Sequence, residues 1–519
     1  MRNTIALLRL LALLPLAALA STHALPAQGA DDPNGITLQE ALDAVLEHGA
    51  QLQLAERQVR IGESALLAAG APFDARLTTS LSTERSNSTS PIPGGTLTPT
   101  LISTVASTIA LPKRFRSGMV VTPRVDLART DVDDVSGAPT SRASVGLDVL
   151  VPLLRDRGGG VTAAAERAAR EARDASMLDA RHSAAASVLA VAVAYWNDLA
   201  AEERLAVYRS SEQRAGQLVD DTRRLVQADE RPAADLKQLL ANLALKRAAR
   251  LTGEQASVEA REQLALAMGV GGAGTVVLPR AITDFPNAGE RNAPGDGAPD
   301  TSADATIPAE ALHKRTDLAA LRARRSAAEV QLGAARSGLR PRLDLSLGVG
   351  YQGSASDRGV GGALSSLYRN VPGLDASVQL SYELPLASLA ARGEALRSSA
   401  AYDQARIREA ELMRQISSGV RMAREALRHG REALLASREA VALSREAVEN
   451  EKRKFQLGMS TLFDVILAED ALTNARLGEI AGQQAYAVAI ASLLYETGAI
   501  LDAGARDPKV NAESLEREP

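Results

Sequence analysis

The feature that most constrains the fold of this chain is an internal duplication. Residues 52–81 read LQLAERQVRIGESALLAAGAPFDARLTTSL, and residues 318–347, which lie 266 positions later, read LAALRARRSAAEVQLGAARSGLRPRLDLSL. The shared positions are Leu52, Arg76, Leu77 and Leu81 in the first copy and Leu318, Arg342, Leu343 and Leu347 in the second. A chain that repeats itself at this spacing is predicted to contain two structural repeats with the same order of elements.

Each repeat is predicted to hold a helix, strands, a very long helix, a turn and a further helix. The first repeat covers 36–270, with a helix at 37–69, strands within 75–151, a helix at 162–228, a turn at 229–232 and a helix to 268. The second covers 307–498, with the corresponding elements at 308–337, 341–385, 393–457, 458–460 and 461–495. Residues 271–306 are rich in Pro, Gly and Asp and are predicted to form a linker or equatorial region, and 499–519 a flexible C-terminal tail.

The two longest helices have a coiled-coil pattern. Seven apolar residues recur at a strict spacing of seven, at Met413, Val420, Leu427, Leu434, Val441, Val448 and Phe455. A sustained heptad spacing predicts helices that pack side by side with a left-handed supercoil. At 1.5 Å per residue each long helix spans about 100 Å. The two shorter helices of a repeat, laid end to end, match that length, so each repeat is predicted to form a slab two helices wide.

The N-terminus predicts export. Residues 1–20 read MRNTIALLRLLALLPLAALA, a basic start followed by an apolar run and small residues, which is typical of a secretory signal peptide cleaved between residues 20 and 30. No later segment carries 18 consecutive apolar residues. The most apolar later stretches, 183–197 and 480–495, are rich in Ala and are predicted to be buried bundle helices.

The strand segments alternate apolar with polar or small residues, as in RLTTSLSTE at 76–84, LDLSLGVGY at 343–351 and LDASVQLSYEL at 374–384. This pattern predicts strands with one side facing lipid or a core. It indicates four to six strands, and a membrane barrel needs at least eight, so a membrane location requires an oligomer. The alternative is a small soluble β-domain at the end of a helical rod. The strand region of the first repeat, 75–151, is longer than that of the second, 341–385. Residues 113–132 lie in the additional length and are predicted to form an additional hairpin.

Composition and motifs exclude several function classes. The chain has no Cys, which excludes thiolate metal sites, thiol nucleophiles and a lipid-anchored N-terminal Cys. The formal charge of -4 gives no nucleic-acid signal. The five His residues form no paired-ligand spacing, and the chain has no nucleophile elbow, Walker motif or dinucleotide fingerprint. The sequence therefore predicts a protein that is not an enzyme and that has no cofactor and no metal.

Four stretches, taken in order, resemble the TolC family of outer-membrane efflux proteins. They are ITLQEALDAVLEHGAQLQLA at 36–55, RTDLAALRARRSAAEVQLGAARSGLRPRLDLSLGVGY at 315–351, LSYELPL at 380–386 and FQLGMSTLFDVILAEDALTNAR at 455–476. The last is the most specific, because it combines an aromatic residue, a turn that contains Gly, and an Asp followed by a hydrophobic residue in the first turn of a helix.

The resemblance implies a mainly α protein with β structure, in which duplicated coiled-coil helical hairpins build a periplasmic α-barrel. Each copy of a homotrimer would give four strands to a shared twelve-stranded barrel in the cell outer membrane, without a lipid anchor. The implied function is the exit duct of a tripartite efflux pump or a type I secretion system, gated at its periplasmic tip. The implied partners are outer-membrane lipid, a periplasmic adaptor (membrane fusion) protein and an inner-membrane pump or ATP-driven transporter. The alternative is a periplasmic coiled-coil adaptor or scaffold without a membrane barrel.

The resemblance also locates the candidate sites at the two helical turns. Asp464 matches an acidic residue that rings the tunnel entrance in family members, where three copies would favour cations and raise each other's pKa. The competing interpretation is an early-helix acid favoured by the helix dipole. The predicted constriction and gating residues are Asp464, Asp235, Phe455 and Glu230. The predicted adaptor-docking residues are Gly458, Met459, Ser460, Asp229, Arg231 and Pro232.

The chain departs from the family pattern at the tip. Phe455 stands where a Tyr is common, and Ser460 lies near the position of a common basic residue. A latch that closes the tip must therefore use other groups in this chain, or the entrance is held more loosely.

Overall fold

The computed structural model describes residues 35–91, 97–133, 139–229, 232–270, 280–288, 303–356, 359–368, 373–501 and 510–517. The predicted signal peptide lies outside these residues. The elements of the first repeat are β1 (Gly35–Ile36), α1 (Leu38–His48), α2 (Ala50–Gly70), a 3-10 turn (Ala71–Phe73), β2 (Thr78–Pro91), β3 (Leu97–Ala110), β4 (Lys113–Arg114), β5 (Val120–Val132), β6 (Thr140–Pro152), α3 (Gly159–Thr162), α4 (Ala164–Gln227) and α5 (Ala233–Met268).

The second repeat has the same order with fewer strands. Its elements, preceded by β7 (Arg280–Ala281) in the equatorial region, are α6 (Ala303–Lys314), α7 (Thr316–Ser337), β8 (Arg342–Ser356), α8 (Gly359–Ser366), β9 (Leu374–Glu383), α9 (Leu389–Gln456), α10 (Leu462–Glu496) and the C-terminal α11 (Ala512–Glu516). The predicted fold class, mainly α with a β part, is confirmed.

The helices form one slab. The long helix α4 packs against α2 and α5 on one side and against α7 and α10 on the other, and α7 and α10 pack in turn against α9. The slab is therefore four helices wide. One edge is formed by α2 and α5, and the other edge is formed by α9. At 1.5 Å per residue, the 64 residues of α4 and the 68 of α9 each span about 100 Å.

The predicted heptad stripe is the buried seam of α9. Leu434 is 0% exposed, and Val420, Leu427, Val441 and Val448 are also buried. Thr37 and Glu40 form a reciprocal capping box that starts α1, and Gly269 ends α5 in the left-handed conformation with φ 78°. The two very long helices predicted at 162–228 and 393–457 correspond to α4 and α9.

The main core lies at the equator of the slab, where both repeats meet. Trp196 and Tyr195 are fully buried, 5.3 Å apart edge to face, and the Tyr195 hydroxyl donates to the Thr283 hydroxyl oxygen at 2.8 Å and accepts from its backbone N–H at 2.9 Å. These bonds attach the segment after β7 to α4. The short strand β7 pairs in parallel with β1, so the region predicted as a linker contains ordered equatorial structure.

The six long strands form one antiparallel sheet in the order β2-β3-β5-β6-β8-β9, with β4 paired to β5. The order in the sheet is the order in the chain. The sheet has two different faces because paired residues point the same way and neighbours along a strand alternate. One row across the sheet is Thr79, Ile109, Val125, Val145, Tyr351 and Leu374, and the next row is Ser80, Thr108, Asp126, Ser144 and Gln352.

The strand count differs from one expectation. The sheet has six long strands, the upper end of the range that the alternation indicated, where the resemblance implied four strands from each copy. Residues 113–132, predicted as part of an additional hairpin, form β4 and β5 within the same sheet. Alternation shows that a segment is a strand, but it does not show whether two extra strands join the main sheet.

Two further regions bear on the sequence predictions. The tail was predicted to be flexible from residue 499, yet Leu515 of α11 is fully buried in the equatorial core, because the tail folds back beside α1. Within the described residues, one helix, α4, contains a window long and apolar enough to cross a membrane, and 61% of that window is buried in the protein. This agrees with the prediction of a buried bundle helix at 183–197.

Candidate functional site

The two helical turns form one end of the slab, which we call the tip. The α9–α10 turn is made by Gly458, which has φ 73°, and by Met459, whose side chain is 74% exposed. The α4–α5 turn includes Asp229, a non-glycine residue with φ 59°, and the exposed Pro232, which precedes α5. The predicted docking residues Gly458, Met459, Asp229 and Pro232 are therefore exposed, and Ser460 is half-buried. The predicted Glu230 and Arg231 lie outside the described residues.

A small apolar cluster joins the two hairpins behind these turns. Val219 of α4, Leu239 of α5 and Leu462 of α10 are buried together, and Phe455 packs against them. Leu236, the neighbour of Asp235, packs against the same cluster, so the first turns of α5 and α10 adjoin. Phe455 is thus a half-buried part of the tip core within the chain. Its predicted place at the constriction remains a prediction about the assembled channel.

Asp464 is a capping residue of α10. Its carboxylate accepts hydrogen bonds from the Thr461 hydroxyl at 2.6 Å and the Thr461 backbone N–H at 2.9 Å, and its own N–H donates to the Thr461 hydroxyl at 3.3 Å. These bonds, led by the one from the Thr461 hydroxyl, lower the pKa of Asp464. Within one chain this is the opposite of the raised pKa expected for a ring of three carboxylates, because the mutual repulsion that would raise it requires the other two copies.

Ion pairs connect the two hairpins one to two turns behind the tip. The carboxylate of Glu469 on α10 forms ion pairs with Arg214 on α4 and Lys452 on α9, each with an N–O distance of 2.7 Å. Next to it, Asp470 of α10 pairs with Lys246 of α5. Two of these pairs, Arg214–Glu469 and Lys246–Asp470, cross from one hairpin to the other. We call these five residues the inter-hairpin ion cluster.

The cluster lines a cavity of about 370 Å³ between the hairpins. Apolar side chains of both hairpins, among them Leu218 and Ile466, line the same cavity. Burial disfavours the charged form of Glu469, but its ion pairs with Lys452 and Arg214 outweigh burial and lower its pKa. This cluster could not be predicted from the sequence, because charged residues are frequent along all four helices and nothing in one sequence shows which of them meet across hairpins.

The sheet is the second candidate site, because its apolar face is exposed. Val378, Val349 and Val105 on that face are 75%, 56% and 47% exposed. The opposite face carries a hydrogen-bonded polar network. Asp126 accepts from Thr108 at 2.8 Å and Ser144 at 3.2 Å, which ties β3, β5 and β6 together. An apolar outer face and a polar inner face are the pattern of a strand in a membrane barrel.

Both edges of the sheet are open among the described residues. The edge strands β2 and β9 each have one neighbour, and every residue of β9 is exposed. The slab edges carry exposed apolar side chains as well: Leu245, Leu251, Val258 and Leu266 on α5 and Leu396, Ile407, Met422 and Leu443 on α9. Because α2 leads into β2 and β9 leads into α9, the open edges of the sheet continue those of the slab.

Comparison with known proteins places this geometry in context. Residues 307–499 match the family model described as outer membrane efflux protein. No curated protein sequence matches the chain. The structure of the outer-membrane channel OprN is 19% identical, with a TM-score of 0.64 over 90% of this chain and 91% of that one. The outer membrane protein VceC from Vibrio cholerae is 17% identical, with a TM-score of 0.61 over 89% and 96%.

A third solved structure is the open state of the MtrE outer membrane channel of Neisseria gonorrhoeae. It is 17% identical, with a TM-score of 0.58 over 89% of this chain and 88% of that one. The three likenesses establish the fold.

Proposed function

We propose that the chain forms a trimeric outer-membrane conduit, because residues 307–499 match the outer membrane efflux protein family model and the chain has the fold of outer-membrane channels. The sheet would cross the outer membrane, and the helical slab would extend about 100 Å into the periplasm as the wall of a tunnel. The observation that carries the proposal is the two-faced sheet. An exposed apolar face several strands wide is costly in water and favourable in lipid.

Association of copies follows from the open edges. A sheet with unpaired edges exposes backbone groups that lipid cannot satisfy, so the edges must pair for the sheet to span a membrane. The sheet has an even number of antiparallel long strands, so β2 and β9 run in opposite directions, and β9 of one copy can pair with β2 of the next. The exposed apolar side chains of α5 and α9 would be covered in the same step. Three copies is the number that the resemblance to the TolC family implies.

The tip would be the gated entrance. MtrE, which shares this fold, is described in an open state, and an entrance that opens requires the hairpins to move. The inter-hairpin ion cluster spans the two hairpins beside a cavity, so it would hold this chain's entrance closed in place of the latch residues that the sequence lacks. Asp464 would form the acidic ring, and the exposed turns would dock a periplasmic adaptor protein. The adaptor in turn would connect the conduit to an inner-membrane pump or an ATP-driven transporter.

The alternative, a periplasmic adaptor or scaffold, would need one helical hairpin flanked by β-rich domains. This chain has two hairpins in one slab, and its single large sheet exposes an apolar face. We therefore favour the conduit.

The proposal is tested by fractionating cells and reconstituting the purified protein in planar bilayers. We expect the protein in the outer-membrane fraction, extracted only by detergent, and discrete ion-conducting steps in the bilayer. A protein that is released with the soluble periplasm and that conducts no ions would overturn the proposal.

A further inference from the structure

The first repeat contributes two β-hairpins to the sheet where the second contributes one. Between the matched landmarks, Arg76 and Val151 in the first repeat and Arg342 and Leu384 in the second, the structure has four long strands and two long strands respectively. A chain built from two equal repeats would have four. The surplus is therefore one complete hairpin, which keeps the strand directions alternating.

Five of the six long strands, β3, β5, β6, β8 and β9, share one pattern of alternation, whereas on β2 Leu81 stands among Thr79, Thr83 and Arg85 on the shared face. The apolar row from Thr79 to Leu374 and the polar row from Ser80 to Gln352 run through the strands of both repeats without a change of face. A hairpin folded into a lumen or lying above the membrane would have no reason to keep one apolar and one polar side in register with its neighbours. The described strand lengths, from 10 to 15 residues, also suit membrane-crossing strands of about 9–11 residues.

We infer that the outer-membrane barrel of this protein has eighteen strands, six from each copy, and is wider than a twelve-stranded barrel. The inference rests on the proposed trimer. With strands about 4.8 Å apart and tilted about 40°, each strand takes up about 6.3 Å of circumference. Twelve strands then enclose about 24 Å between opposite backbones, and eighteen enclose about 36 Å.

The helical slab agrees with the wider barrel. Next to the sheet, each copy is four helices wide, through α2, α4, α7 and α9. At interaxial distances of about 8–10 Å, that width is roughly 32–40 Å. Six tilted strands span about 38 Å and four span about 25 Å on the same assumptions. On these assumptions, six strands match the width of the four helices.

One hairpin of the first repeat can be removed without opening a gap in the chain. The backbone N–H of Arg76 donates to the carbonyl oxygen of Pro112 at 3.2 Å, so the two ends of the segment 77–111, which contains β2 and β3, already touch. Deleting 77–111 and joining Arg76 to Pro112 leaves β5, β6, β8 and β9, four long strands per copy. A control that only shortens the connection 92–96 keeps all six long strands.

Two measurements test the inference. Cryo-EM of the full-length protein in lipid nanodiscs should show eighteen strands around one threefold axis. Twelve strands in such a barrel, with one hairpin of each copy outside the wall, would overturn the inference while leaving the conduit intact. A structure with no shared barrel would overturn the proposed function as well.

The second measurement is exclusion of polyethylene glycols added to the extracellular side of reconstituted channels. With side chains reaching about 5 Å inward, the deletion should reduce the free diameter from roughly 26 Å to roughly 14 Å, and the size of the largest admitted polymer should fall by about half. The loop-shortened control should match the unaltered protein. An unchanged cutoff in a deletion variant that still forms channels would contradict the wider barrel.

Discussion

Replacing Glu469 by Gln tests whether the inter-hairpin ion cluster holds the entrance closed. The change keeps the size of the side chain and removes the charge that pairs with Arg214 and Lys452 at 2.7 Å. The Glu469 and Arg214 side chains are 17% and 26% exposed, which places their pair between a surface and a buried one. Exposed pairs contribute about 0.2–1 kcal/mol, and breaking a buried pair costs about 3–5 kcal/mol. We therefore expect Glu469→Gln to reduce the stability of the closed state by about 1–2 kcal/mol per copy.

The effect multiplies if the three copies open together. A loss of roughly 3–6 kcal/mol for the trimer raises the ratio of open to closed channels by about 10²–10⁴. Single-channel recording of the reconstituted trimer measures this ratio as the fraction of time spent in the high-conductance state. The matched control is Glu425→Gln on α9, which removes an exposed pair with Arg428 and should leave the ratio unchanged. Equal ratios for Glu469→Gln and the unaltered channel would refute the latch.

The same cluster gives a pH dependence with a definite sign. The pKa of Glu469 is lowered in the folded chain, so its stabilisation of the closed tip is present above the ordinary pKa of a Glu side chain. The stabilisation is lost as the pH falls through the lowered pKa. Acidification below the usual Glu range should therefore open the unaltered channel, and Glu469→Gln should reduce this response. Opening at alkaline pH instead would contradict the assignment.

Three further predictions concern other parts of the chain. Asp464→Asn should lower the cation selectivity of the reconstituted channel, measured as a reversal potential in a salt gradient, and unchanged selectivity would place the acidic ring elsewhere. Val378→Arg on the apolar face should destabilise the membrane-inserted protein by about 2–4 kcal/mol near the bilayer centre, whereas its neighbour Ser377→Arg on the polar face should be tolerated, as measured by heat resistance of the oligomer. Tyr195→Phe removes the hydroxyl that the buried polar groups of Thr283 share. It should lower the free energy of unfolding, measured in denaturant, by about 1–3 kcal/mol, and a smaller loss would mean that the equatorial hydrogen bonds add little stability.

The helices could be predicted from the sequence because their determinants are local. The predicted α4 and α10 lie within two residues of the observed elements, since a Gly or Pro at each turn and a regular apolar spacing fix where the helices stop. The break between α1 and α2 at Gly49 was missed, because the apolar period continues across it.

The features that join distant parts of the chain could not be predicted. The partners of Glu469 lie on two other helices, and the burial of Leu515 depends on a core formed by α1 and α10 with the tail. The strand number was left open for the same reason, because pairing between strands is not local. Asp464 differs, because it was found from its motif and its capping partner Thr461 lies only three residues away.

Closure of the sheet between copies can be tested by disulfide cross-linking, because the chain has no native Cys. Paired Cys substitutions would be scanned along β9, from Ser377 to Ser381, and β2, from Thr79 to Thr83, in outer-membrane fractions. Matched positions on β9 and β2 should give covalent dimers and trimers on non-reducing gels, and reduction should return them to monomers. Only monomers across the whole scan would contradict closure of the sheet, because β9 and β2 of neighbouring copies would then not be paired.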